Sequence, residues 1–248
     1  MSFTDEFDIC VQKAQEYLCF IEKIFSSGDE KFSDIINRNL QNSKKIFCKK
    51  STLPLGYFDP CPVEDLIVGK SNRGKLSDKM PSSESLITYY FDNDILKMAE
   101  DGIYYYIYDY SEADKKYIYA VPKNRKLNLT FFLTVCEYEN GKIRKLTRFT
   151  ANSAELPGGI FNLLGANMIL IKGMNDKQYM FDLTEKIYTY SDEHIELLEI
   201  MKVGSYGKKR SAAEYRFNYK GDYYSSYSSN GTQYRIKEKR MYNEFYNI

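Results

Sequence analysis

A single histidine, no tryptophan and no CxxC pair occur in this 248-residue chain, and each shortage closes off a class of function. With His194 alone, no histidine-rich metal centre can be built. The five cysteines (Cys10, Cys19, Cys48, Cys61, Cys136) are odd in number and match no zinc-knuckle spacing. Reduced, mostly buried thiols are therefore expected, with no metal and no other cofactor. No apolar run approaches the ~18 residues that a membrane span needs. The acidic start, MSFTDEFD, lacks the apolar core of a signal peptide. These features lead to the expectation of a cytoplasmic chain with no membrane partner. A charge imbalance is missing as well: the formal net charge is +1, which argues against a phosphate-binding surface spread over the whole chain.

What the chain has in excess is tyrosine, with 24 Tyr beside 15 Phe. Tyrosine favours strands, where its ring packs on a pleated face and its hydroxyl stays wet. A β-rich body follows. The hydrophobic fraction of 43% is ordinary and sufficient for a sizeable core. Charge is unevenly placed. Asp5, Glu6, Asp8, Glu16, Glu22, Asp29 and Glu30 face only Lys13 and Lys23 in the first thirty residues. From residue 202 onward the bases outnumber Glu214, Asp222, Glu238 and Glu244. Two solvated faces that partly attract one another is the plain reading of this split, and a basic C-terminal binding patch is the sharper one.

Along the chain, Phe7, Cys10, Val11, Ala14, Tyr17, Leu18, Ile21, Ile24 and Phe25 recur at three-and-four spacing, which predicts an amphipathic helix from Thr4 to Phe25. After the break at Ser26-Ser27-Gly28, a second helical pattern places Phe32, Ile35, Ile36, Leu40 and Phe47 on one side. Lys44, Lys45, Lys49 and Lys50 fall near its end. Residues 1–50 thus read as an antiparallel helical hairpin. Residues 51–85, with Pro54, Pro60, Pro62 and Pro81, read as a loop-rich connection.

Beyond Ser85 the period changes to two. Strands are expected at Leu86–Phe91, Ile95–Ala99, Ile103–Tyr110, Lys116–Val121, Leu127–Glu139, Lys142–Thr150, Met168–Lys172, Gln178–Phe181, Lys186–Tyr190, Tyr215–Tyr219, Tyr223–Tyr227 and Gln233–Lys239. Ile195–Met201 fits either strand or short helix. Asn140-Gly141 is the strongest hairpin signal, since both residues tolerate positive φ. YYFDNDILK, CEYENGKIRK, QYMFDLTEKI and RFNYKGDYY echo one another too irregularly for a propeller, and a hairpin-by-hairpin meander explains them. The expected fold is α+β: a helical hairpin packed on a large, curled, mainly antiparallel meander sheet over residues 86–248, all in one unit.

Candidate chemistry is sparse. GIYYYIYDY followed by KKYIY is similar to the two halves of the GIY-YIG nuclease signature. Tyr119 stands where that family closes on glycine, and Arg125 falls on a turn rather than a helix, so the nuclease reading is rejected. His194, within SDEHIELL, reads as a surface residue. A Cys61 or Cys136 pairing with His194 has no local signature behind it. LPGGIFNLLGAN has no Lys-Ser/Thr to make a phosphate loop. Catalytic residues are therefore not assigned.

Binding has better support. Tyr223, Tyr224, Tyr227, Tyr234, Arg235 and Lys237 interleave rings and cations near the C-terminus, a composition suited to interfaces and to single-stranded nucleic acid. Strand alternation sets Tyr234 on the face opposite Arg235 and Lys237. PCPVEDLIVGKSNRGKL (Pro60–Leu76), with ITYYFDNDILKMAEDG and CEYENGKIRKLTRF, resembles small bacterial proteins encoded beside secreted polymorphic toxins, among them immunity proteins of contact-dependent inhibition systems. The resemblance covers about residues 55–150, where a glycine-arginine-lysine stretch precedes an aromatic sheet. It implies a cytosolic, non-enzymatic protein that binds and blocks a cognate toxin domain. Arg73 and Lys75 are then either partner contacts or members of a solvated turn, with the turn favoured. A nucleic-acid-binding module ranks second and an enzyme with an unrecognised site third. No small-molecule substrate is identified.

Overall fold

The computed structural model describes residues 3–26, 29–49, 51–67, 73–80, 86–124, 130–153, 168–205 and 211–236. Two helices open the chain, α1 (Phe3–Ser26) and α2 (Asp29–Asn42). The buried apolar residues of α1 are Phe7, Cys10, Ala14, Leu18 and Ile21, which lie on the stripe that the three-and-four spacing predicts. They pack against strand residues including Val135, Phe149, Phe181, Leu183 and Val203. Burying each large aliphatic side chain here contributes roughly 1.5–3 kcal/mol.

The second helix ends earlier than expected. Lys44–Lys49 form strand β1, so Phe47, Lys44, Lys45 and Lys49 leave the helical pattern. KKIFCK pairs along its length with Leu86–Phe91, with Cys48 almost fully enclosed. The sheet thus begins inside the segment read as hairpin, because a ready neighbouring strand outweighs helix propensity over so short a run.

A short helix, α3 (Glu64–Ile67), precedes β2 (Lys75–Ser77). The remaining strands are β3 (Leu86–Asp92), β4 (Ile95–Glu100), β5 (Tyr104–Asp109), β6 (Lys115–Pro122), β7 (Thr130–Glu139), β8 (Lys142–Ser153), β9 (Ile171–Lys172), β10 (Gln178–Ser191), β11 (His194–Gly204), β12 (Ser211–Lys220), β13 (Tyr223–Ser229) and β14 (Thr232–Arg235). All belong to one sheet, ordered β14-β13-β12-β11-β10-β8-β7-β6-β5-β4-β3-β1-β2, with β9 paired to β10 beside this path. Every pairing is antiparallel. The expected α+β meander is therefore present, as an open sheet of 14 strands.

Two expected strands merge. Gln178–Phe181 and Lys186–Tyr190 are one 14-residue strand. The polar residues between them looked like a break, but Glu185 faces α1 and is held there by Lys13 (3.2 Å) and Lys145 (2.7 Å). Ile195–Met201 is strand. LPGGIFNLLGAN, Arg125 and Lys237 lie outside the described residues.

The sheet is covered on both faces. Along β10, Tyr179, Phe181 and Leu183 join the core under the hairpin, whereas Tyr188 joins a second core. Along β5 and β6, Ile107 and Tyr119 face the hairpin, and Tyr108 and Ile118 face away. The second face is filled by the connection itself. Leu55 packs with Tyr89 and Tyr108, while Cys61, Val63 and Leu66 pack with Leu146, Tyr188, Leu198, Phe217 and Tyr227.

Polar ties hold this connection in place. Asp59 is fully buried. Its carboxylate accepts a hydrogen bond from Arg148 at 2.5 Å and from the amides of Cys61 (3.1 Å) and Leu55 (3.3 Å). Gly56, at φ +67°, lets the chain turn directly over the Tyr89 hydroxyl, which accepts from the Tyr57 amide and donates to the Leu55 carbonyl.

Candidate functional site

The last three strands differ from the rest of the sheet. The core beneath the hairpin reaches Met201 and Val203 of β11, and among the described residues none of β12–β14 enters it. Register sorts what remains. Tyr234 lies opposite Tyr227, and Tyr227 opposite Phe217. These rings share the face covered by the connection, where the Tyr227 hydroxyl donates to the Ile67 carbonyl at 3.0 Å. The ring ladder there is continuous. Phe217 and Tyr224 centroids are 5.5 Å apart, and Tyr227 and Tyr234 stack at 5.0 Å. Burial first, and its neighbour Tyr224 second, push the Tyr219 hydroxyl well above the usual phenol range.

The opposite face of the same three strands is polar. Asn218 and Arg235 flank Ser226, and Arg216 and Gln233 flank Ser228. Amides of Asn218 and Gln233 both donate to the Ser226 hydroxyl, each at 3.2 Å. Lys220 pairs with Tyr223 at the turn between β12 and β13. A bulge at Ser225 sets Tyr224 against Tyr219, which turns the neighbouring Tyr223 to the polar face, where it is 39% exposed. Arg216, Asn218, Lys220, Gln233 and Arg235 are all exposed.

The sequence-derived candidates therefore divide. Tyr223 and Arg235 share the open polar face, while Tyr234 is exposed at the outer strand but belongs to the aromatic face. Tyr224 and Tyr227 are buried in the second core. Lys75 is exposed on β2, at the opposite end of the strand order.

Arg73 is a correction: neither a surface contact nor part of a solvated turn, it is 1% exposed. Its guanidinium donates to the carbonyls of Tyr57 (3.0 Å), Asp59 (2.6 Å) and Cys61, fastening the connection. Arg216 and Asn218 were missed by sequence reading. Two-residue alternation through AAEYRFNYK was the available signal for placing them with Arg235.

A second concavity of about 740 Å³ lies between the hairpin and β4–β6. Phe20, Ile24, Phe32, Ile35 and Ile107 give it an apolar floor, with Arg38, Lys97, Asp109 and Glu112 among its polar groups. Most of these are engaged locally. Asp109 accepts from the Ser111 amide (2.9 Å) and the Tyr119 hydroxyl, Glu112 accepts from Tyr117 (2.8 Å), and Lys97 sits over the Tyr110 ring. Burial and the Asp109 carboxylate raise the Tyr119 hydroxyl far above its ordinary value, so it stays protonated. The cleft holds no nucleophile paired with a base among these residues.

The remaining chemical candidates are packed away. All five cysteines are free, and four are buried. Burial, only partly offset by Arg148 and Lys116, pushes the Cys136 thiol up to about 12, which keeps it un-ionised. His194 lies against the Tyr219 ring, 4.3 Å between centroids. GIYYYIYDY and KKYIY form the β5–β6 hairpin, with Tyr117 and Tyr119 as register partners of Asp109 and Ile107. Among the described residues no three His, Cys, Asp or Glu side chains are grouped to hold a metal, and no helix is long and apolar enough to cross a membrane. No protein-family model matches the chain, and neither does any curated protein or solved structure.

Proposed function

We propose that this chain is a non-enzymatic binding protein of the bacterial immunity type, which occludes a cognate toxin domain by direct contact. The observation that carries this reading is the two-sided end of the sheet. Its aromatic face packs against the chain's own connection, while the other face presents Tyr223 among Arg216, Lys220 and Arg235 with no helix of the described residues over it. Tyrosine and arginine dominate interface energetics, and a sheet surface loses little entropy on docking because its side chains are already aligned.

The register also weighs against single-stranded nucleic acid. Such binders place stacking rings and cations on one surface, whereas here all the ladder rings except Tyr223 lie opposite the arginines. The deciding experiment mixes the protein with the catalytic domain of a toxin encoded beside its gene. A stoichiometric complex by calorimetry, with toxicity suppressed in co-expressing cells, is expected. Suppression at substoichiometric amounts would point to catalysis instead and overturn the reading.

A further inference from the structure

We infer that the β2 edge of the sheet takes an extended segment of a partner protein, one whose side chains alternate carboxylate and apolar. This edge lies at the opposite end of the strand order from β12–β14, and the inference does not rest on the immunity reading. A charge surplus, an open ladder and a fixed strand converge on it.

Within β1, β2 and the turn after it (residues 44–49 and 75–80), Lys44, Lys45, Lys49, Lys75 and Lys79 stand against Asp78 alone. Among the described residues, none of these lysines has a carboxylate within ion-pair distance. Neighbouring strands add little to cancel them. The one acid of β3 is Asp92, at the end that lies by Lys44 and away from Lys49. The one acid of β4, Glu100, is already held by Lys123 at 2.8 Å and by the Tyr90 hydroxyl at 2.5 Å. Lys49 and Lys75 are register partners, so both leave the same face of the sheet directly opposite one another. Like charges so placed cost stability, and a carboxylate brought between them relieves that cost.

The ladder is open on its outer side. Among the described strands β2 pairs only with β1, and alternate residues of an antiparallel strand turn N–H and C=O away from their partner. A further strand can bond along that edge. Leu76 lies opposite Cys48 on the other face and is 38% exposed. An added strand with period-two alternation therefore meets lysine on one face and leucine on the other. A polynucleotide would use the lysines but not Leu76, and for this reason the edge fits a peptide better.

The strand is also held before any partner arrives. Arg73, just ahead of it, donates to three carbonyls of the connection. Gly74 has φ +87°, and a Cβ there would fall 2.5 Å from the Lys49 carbonyl oxygen and 2.7 Å from the Cys48 sulfur. In Arg73-Gly74-Lys75 the arginine anchors, the glycine allows the close approach, and the lysine is presented. An edge fixed in this way loses little entropy on docking.

A fluorescein-labelled peptide of four Glu-Val repeats, followed by anisotropy at low salt, should bind the wild-type protein. Lys49→Gln/Lys75→Gln should bind it about tenfold more weakly, because both charges facing the carboxylates are lost. Lys172→Gln/Lys177→Gln removes equal charge at exposed sites elsewhere and should bind like wild type. A block peptide of four Glu followed by four Val should bind about tenfold more weakly than the alternating one, since it cannot match both faces. Lys75→Glu should lose binding while its urea midpoint stays at or above that of wild type, because it sets an opposite charge against Lys49. That pairing of results separates a lost contact from a lost fold.

No binding, an equal loss in the Lys172/Lys177 control, or equal affinity for the block peptide would overturn the inference. So would tighter binding of an oligodeoxynucleotide of equal charge, which describes a phosphate surface. Lysines that only guard the edge against other copies of the chain give a further contrary result. In that case wild type ignores the peptide, and Lys49→Gln/Lys75→Gln dimerises in sedimentation.

Discussion

Asp59 is the residue on which the second face of the sheet is organised. Its side chain joins the connection to β8 through Arg148, and its carbonyl joins the connection to Arg73. Removing one member of a buried pair leaves the other charge without its partner. Because Arg148 keeps 21% of its side chain exposed, Asp59→Asn should cost about 2–3 kcal/mol, below the full buried-pair value. Urea unfolding measures this, and Asp59→Asn combined with Arg148→Met should recover part of the loss.

Glu185 makes a pH-dependent contribution beneath α1. Burial alone would raise its carboxyl, but Lys145 and Lys13 outweigh that and hold it below the ordinary glutamate value of 4.5. A depressed folded-state pKa adds stability that is complete above the ordinary value and fades as pH falls below it toward the depressed one. The stability gap between wild type and Glu185→Gln should therefore be full near neutrality and shrink as pH falls below 4.5. An unchanged gap across that window would mean the carboxylate is not held by the two lysines. Thiol chemistry offers a simpler check. Only Cys19 of the five cysteines is exposed, so a thiol reagent should modify one group rapidly in the native protein and all five in denaturant.

Among the elements, α1 and most strands were legible because each carries one clean period over many residues. The α1 stripe reads as written, and Asn140-Gly141 turns β7 into β8 with φ values of +51° and +76°. Asn230-Gly231 makes the same turn between β13 and β14, a signal of the same kind that sequence reading passed over. Two elements were obscured. In β1, six residues fit helix and strand equally, and only pairing with β3 decides between them. In β10, polar residues that looked like a turn point toward lysines brought in from α1 and β8, a relation that no local window contains.

The connection was the hardest to read, since its proline-rich composition resembles a loop while its Leu55, Cys61, Val63 and Leu66 fill a core. Arg73 was misread for the same reason: a buried cation satisfied by three carbonyls cannot be told from a surface one by its neighbours in sequence. Gly56 tests the connection as an element. A Cβ there would overlap the Tyr89 hydroxyl and face the positive φ as well. Gly56→Ala should therefore destabilise by roughly 2 kcal/mol or more in chemical denaturation, whereas Gly221→Ala, which also has positive φ but open space around it, should cost about 1 kcal/mol.

On the scale of the whole molecule, one sheet is clamped between a helical hairpin and its own connection, and its last three strands project a polar face beyond the hairpin. The rings that dominate the composition serve mainly to hold the sheet together. On the proposed reading, the contact surface falls to the side chains that alternate with them. Part of the candidate site was thus visible as a C-terminal cluster, but which of its members face outward depended on cross-strand register, and register is a property of the assembled sheet.

Hydrogen exchange on the protein with and without its bound toxin domain tests this division most directly. The account predicts that added protection concentrates in β12–β14 and in the Lys220–Tyr223 and Asn230–Gly231 turns, with the β5–β6 hairpin unchanged. Protection confined instead to the hairpin cleft around Phe20, Asp109 and Tyr119 would contradict it.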